Sequence, residues 1–93
     1  MDGLIEGRIV HYVMPDGNHV PAIVVKVWNP NGTSNLQIFT DGVNSLPSTP
    51  EENRKFDSFG FWPDEIRHGH LWITSIRYSE EKEPGTWHWI EKA

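Results

Sequence analysis

The sequence predicts a single all-β domain over residues 1–93, a small five-stranded antiparallel barrel or meander of SH3-like or OB-like size. Two observations predict it. Five short runs are rich in β-branched and aromatic residues, and most of the connections between them carry tight-turn signals. A chain of 93 residues has room for one core only. The same reading predicts one long irregular loop at about 45–67.

The first three strands are separated by clear turns. Residues 7–14 form the first run, and the turn at 15–18 follows because Pro presets φ and Gly accepts a positive φ. The second run covers 20–28 and ends at an Asn-Pro-Asn-Gly turn at 29–32. The third covers 35–40. These runs predict consecutive antiparallel hairpins.

The chain changes character after residue 45. Pro47, Pro50 and Pro63, with the polar run at 48–53, argue against regular structure, although residues 51–55 could form one helical turn. A fourth strand is expected at 70–79 and a fifth at 86–90. With alternation along each strand, the predicted aliphatic core is Ile23, Val25, Val27, Leu36, Ile38, Leu71 and Ile73.

Composition excludes several classes of protein. The formal net charge of −5 argues against binding to duplex nucleic acid, which depends on many Lys and Arg contacts to phosphates. No apolar run reaches the ~20 residues that a membrane span requires, and no signal peptide is recognised at the start. A cytoplasmic location is therefore expected. The chain has no cysteine and therefore no disulfide bond. Small domains without such cross-links often gain stability by association, so a homo-oligomer is expected.

Metal binding and catalysis find little support in the sequence. His68 and His70 alternate on a strand and could hold zinc with His88 or Asp64 as a third ligand. No second spaced pair accompanies them, so neither a metal nor another cofactor is predicted. The chain also lacks a G-x-S-x-G elbow and a phosphate-binding glycine loop before a helix. These absences predict a protein that is not an enzyme.

The aromatic residues are the strongest functional signal. The aliphatic set named above already fills a small barrel, which cannot enclose every large ring as well. The surplus rings belong under the long loop, in a subunit interface or in a ligand pocket, where a base stacked on an exposed ring gains about 1–3 kcal/mol. The candidate ligand-binding residues are Trp28, Trp72, Tyr78, Trp87, Trp89, Arg8, Arg77 and His88.

Several distinctive blocks occur in order along the two halves of the sequence. They are GRIVHYV at 7–13, PAIVV at 21–25, NLQ at 35–37, LW at 71–72 followed by TS at 74–75, and PGTWHW at 84–89. Together these blocks resemble a family of small, uncharacterised proteins of tailed bacteriophages and prophages. The resemblance is interrupted over about 45–67, where a shorter connection is typical.

This resemblance implies a phage origin and leaves several functions open. One is a non-enzymatic binding protein that sequesters a small nucleotide signal of host anti-phage immunity in the host cytoplasm. Another is a virion component, such as a capsid decoration or cement protein, whose flat aromatic faces bind a protein surface. A small hydrolase is the third and weaker alternative.

Overall fold

A computed structural model describes residues 1–91 and shows an antiparallel sheet with two short helices beside it. The strand order is β4-β3-β2-β1-β5 once the elements are numbered along the chain. Those elements are β1 (Ile9–Val13), β2 (His19–Val27), β3 (Ser34–Phe39), α1 (Pro50–Ser58), α2 (Pro63–Arg67), β4 (His70–Ile76) and β5 (Trp87–His88).

The all-β prediction is confirmed, whereas the predicted barrel is not. The first four strands follow one another across the sheet as a meander, and β5 returns to lie beside β1. β4 and β5 are thus the two edges. Within residues 1–91 one isolated parallel bridge joins Tyr78, two residues after the end of β4, to Trp87 of β5, and the sheet is not closed.

The β1–β2 hairpin has the turn that its sequence predicts. Gly17 has φ of 89°, a conformation that glycine adopts without steric cost. Asp16 Oδ1 accepts a hydrogen bond from the Asn18 backbone N–H at 3.0 Å. This turn sets the register, which places Val13 opposite His19 and His11 opposite Pro21.

The core is formed by one face of the sheet together with the two helices. Val25, predicted to be in the core, is 43% exposed, and that prediction is wrong. Ala22 and Val24 are fully buried instead, and a register shift follows between Val24 and Lys26. Because β2 is apolar on both faces, alternation alone could not tell which face is buried. The main buried hydrophobic residues are Val10, Tyr12, Val20, Ala22, Val24, Leu36, Ile38, Phe56, Phe61, Ile66, Leu71 and Trp87.

The predicted irregular loop at 45–67 is wrong in part, because α1 and α2 occupy most of it. The Thr49 side chain caps α1 by accepting a hydrogen bond from the Glu52 backbone N–H at 3.1 Å. Pro50 and Pro63 begin the two helices, where the missing N–H of proline has no intrahelical partner to lose. Buried side chains then attach both helices to the core. None of the helices within residues 1–91 has the length and apolar character to cross a membrane.

Candidate functional site

The side chains predicted to bind a ligand are distributed over four places and do not form one site. Trp28 is exposed near Lys26. Trp72 and Arg77 line a cleft. Tyr78, Trp87, Trp89 and Arg8 form an aromatic stack capped by a guanidinium, and His88 belongs to a cluster of histidines.

The aromatic stack is part of the core. Trp87 is fully buried, and its Nε1 donates a hydrogen bond to the Gly32 carbonyl at 2.7 Å. The rings of Tyr78 and Trp89 contact it edge to face, with centroids 5.0 and 5.2 Å away. Arg8 then covers Trp89 at 5.7 Å from its ring centroid. The faces of Trp87 are therefore already covered by protein.

Trp28 lies on the surface and lines neither of two clefts found within residues 1–91, which have volumes of about 330 and 470 Å³. Its ring is 56% exposed, with the Lys26 ammonium 5.3 Å from the centroid. Its Nε1 donates to Asn35 Oδ1 at 2.8 Å, an oxygen that also accepts the Ser75 backbone N–H at 2.9 Å. These hydrogen bonds attach the indole to a local network between β3 and β4.

One cleft of about 470 Å³ contains two of the predicted residues. Trp72, which is 59% exposed, and Arg77 border it from the β4 side, while Phe59 and Phe61 border it from the segment between the helices. Gly85 lies on the remaining wall, where a Cβ would come within 2.8 Å of the Phe59 ring. Only glycine allows this close approach, so the residue helps to shape the cleft.

Two polar groups of the cleft are already constrained. Arg77 Nη2 donates to Glu83 Oε2 at 2.8 Å, and this hydrogen bond lowers the pKa of Glu83. Tyr12 lies at the cleft with a buried ring, and burial raises the pKa of its phenol to about 12. A ligand would thus meet a neutral phenol, a paired guanidinium and several aromatic rings.

A second, smaller cleft of about 330 Å³ lies between the helices around Phe56, Trp62 and Ile66 and is mostly apolar.

A cluster of three histidines and one glutamate lies at the opposite edge of the sheet. β1 and β5 place His11 directly opposite His88. The β1–β2 hairpin brings His19 to the same face, because it lies opposite Val13, two residues along from His11. Glu91 follows His88 by three residues, and one ligand atom from each of the four residues lies within 4.8 Å of the others.

The carboxylate of Glu91 is the centre of this cluster. Its Oε1 lies 2.7 Å from His19 Nδ1 and 3.4 Å from His11 Nδ1, and it also contacts His88 Nε2. The hydrogen bond from His88 holds the pKa of Glu91 at about 2. Burial lowers the pKa of His88, whose side chain is 2% exposed. A neutral imidazole at His88 and an ionised carboxylate at Glu91 are forms that bind metals.

The sequence reasoning identified His88 but not its partners. The zinc pair considered from the sequence was His68 and His70. Within residues 1–91 neither belongs to a group of three metal-ligating side chains. The register of the β1–β2 hairpin would have placed His11 and His19 on the same face, because His19 lies opposite Val13, two residues from His11. The contribution of His88 depends on β5 returning to β1, a long-range contact that no local signal predicts.

Protein-family models, curated proteins and solved structures were all compared with the chain, and none matches it.

Proposed function

We propose that the protein is a non-enzymatic binding protein whose cleft between Trp72 and Arg77 takes a small nucleotide. The observation that carries this proposal is an exposed indole and a guanidinium bordering one cleft of about 470 Å³ with further aromatic rings in its walls. An aromatic concave surface with a few polar groups is the usual form of a small-molecule site.

The two side chains supply complementary interactions. A base stacked on Trp72 would gain about 1–3 kcal/mol, and Arg77 would bind a phosphate through charge-assisted hydrogen bonds. Glu83 now occupies the guanidinium, so a ligand phosphate would replace this carboxylate. The overall charge of −5 does not prevent such binding, because the cation acts at short range.

The resemblance to phage proteins suggests the biological role. In that setting the ligand would be a nucleotide signal of host anti-phage immunity, sequestered in the host cytoplasm by an oligomer of this chain. The alternative of a virion component is favoured by other surface features. Trp28 and Trp62 are 56% and 62% exposed outside the cleft, and flat exposed rings of this kind suit binding to a protein surface.

Calorimetry with a panel of linear and cyclic nucleotides tests the proposal. We expect one of them to bind the full chain, and Trp72→Ala to weaken that binding about 5- to 150-fold, the equivalent of one lost stacking contact. Arg77→Ala should also weaken it. The matched control is Trp62→Ala, which removes an equally exposed indole that does not line this cleft.

Two results would contradict the proposal. The first is a panel in which no nucleotide binds. The second is a loss of binding that is as large in Trp62→Ala as in Trp72→Ala, since the cleft would then not be the site. Co-purification of the wild-type chain with capsids, but not of Trp28→Ala, would support the virion alternative instead.

A further inference from the structure

The histidine cluster has no part in the function proposed for the cleft. His11, His19, His88 and Glu91 do not line that cleft. They come from three different strands and from the segment after β5, and as many as 80 residues separate their positions in the chain. The pairing of three strands is needed to bring these residues together, and we therefore do not attribute their proximity to chance.

Hydrogen bonding alone does not account for the arrangement. Three imidazole nitrogens are directed at one oxygen, Glu91 Oε1. A carboxylate oxygen has two lone pairs, so it accepts about two hydrogen bonds. The three rings are also packed closely, with centroids 4.6 to 6.1 Å apart.

The spacing of the four ligand atoms is close to that of a metal site. They lie within 4.8 Å of one another. A tetrahedral zinc ion with bonds of about 2.0–2.1 Å would hold them about 3.4 Å apart. The strands that carry the three histidines are already paired, so their backbones are held in place beside one another.

His88 is the most deeply buried member of the cluster. Its side chain is 2% exposed, against 25% for His11 and 30% for His19, and among residues 1–91 its Nδ1 has no hydrogen-bond partner. Burying an imidazole with one nitrogen unpaired costs stability. Nε2, on the other side of the ring, faces the cluster, and a metal bond there would offset part of this cost while Nδ1 stays unpaired.

We propose that His11, His19, His88 and Glu91 bind one divalent transition-metal ion, for which Zn²⁺ is the best fit. Three imidazoles with one carboxylate suit zinc, whereas Ca²⁺ and Mg²⁺ take mainly oxygen ligands. Lys82 Nζ lies 3.7 Å from Glu91 Oε2, which leaves Oε1 to face the ion. With four protein ligands the site is structural, and it ties the two-residue strand β5 to β1 and β2.

The test uses tag-free, full-length protein that has been stripped with EDTA and dialysed against Zn²⁺. We expect elemental analysis to find one zinc ion per chain. When the stripped protein is loaded with Co²⁺ instead, we expect a visible absorption spectrum typical of tetrahedral coordination. His11→Gln and His19→Gln should each weaken zinc binding at least about 10-fold. The control is the double variant His68→Gln/His70→Gln, which removes two histidines outside the cluster.

Glu91→Gln keeps the test decisive if a histidine variant folds poorly, because Glu91 is partly exposed and lies outside the strands. It too should weaken zinc binding and change the Co²⁺ spectrum. The proposal is overturned if the wild-type protein binds no zinc, or if the variants of the cluster bind it as tightly as the wild type. A loss confined to the His68/His70 control would likewise overturn it.

Discussion

Each edge strand of the sheet carries one residue whose exposure to solvent is unusual for its type. On β5, Trp87 faces the core and its neighbour His88 faces the other way, yet His88 is only 2% exposed. On β4, Leu71 faces the core and its neighbour Trp72 is 59% exposed. A buried polar residue and an exposed large apolar residue are the informative departures from average behaviour.

The neighbours of each residue explain the difference. His88 is covered by His11 and His19 from the adjoining strands and by Glu91 from the following segment. Trp72 lies on an edge strand that pairs on one side only. A side chain that points away from the core is therefore not always exposed. Both unusual residues, His88 and Trp72, belong to sites that we propose.

The largest effect should come from the inward side of the β5 edge. Trp87→Ala removes a fully buried indole and leaves the Gly32 carbonyl without its hydrogen bond. We expect the free energy of unfolding to fall by about 3–5 kcal/mol. Trp72→Ala on the opposite edge should change it by no more than about 0.5 kcal/mol. Urea unfolding of both variants measures the contrast, and equal losses would remove the distinction between the two tryptophans.

Local signals in the sequence predicted much of this fold. The Pro15-Asp16-Gly17-Asn18 turn and the alternation along β1 and β3 were sufficient to predict the first strands closely. The sequence predicts only one helical turn, at 51–55, where α1 and α2 occur, although Thr49 and Glu52 have the spacing of a capping box. Prolines that break a helix in its interior also occur as its first residue, and the pattern does not distinguish the two cases. The buried face of β2 depended on tertiary packing and could not be predicted from its pattern.

The candidate sites could be predicted less completely. The excess of aromatic rings indicated that some would remain exposed, and Trp28 and Trp72 do. The rings nevertheless lie in separate places, because the strand on which each occurs decides its surroundings. The histidine cluster required the pairing of β1 with β5, which joins positions 77 residues apart, from His11 to His88. No local pattern encodes such a contact.

A smaller effect should separate stability from metal binding at the β5 edge. His88→Leu replaces a buried, incompletely paired imidazole by an apolar side chain of similar size. In EDTA we expect the free energy of unfolding to stay unchanged or to rise by up to about 1 kcal/mol. Added Zn²⁺ should raise the melting temperature of the wild type only. A loss of several kcal/mol in EDTA would show that the metal-free fold requires the imidazole.

A further effect concerns the cleft and appears only at high pH. Burial raises the pKa of Tyr12 to about 12 in the folded protein, above the ordinary value of about 10. The native state thus holds its proton more tightly, so this contribution is complete below about pH 10 and is lost as the pH rises towards 12. Tyr12→Phe should lose less stability over this range than the wild type, measured by urea unfolding at pH 8 and pH 11. Tyr78→Phe is the control for the other phenol of the chain. If the wild type and Tyr12→Phe show an identical pH dependence of stability, the Tyr12 hydroxyl is solvated at the cleft rather than buried.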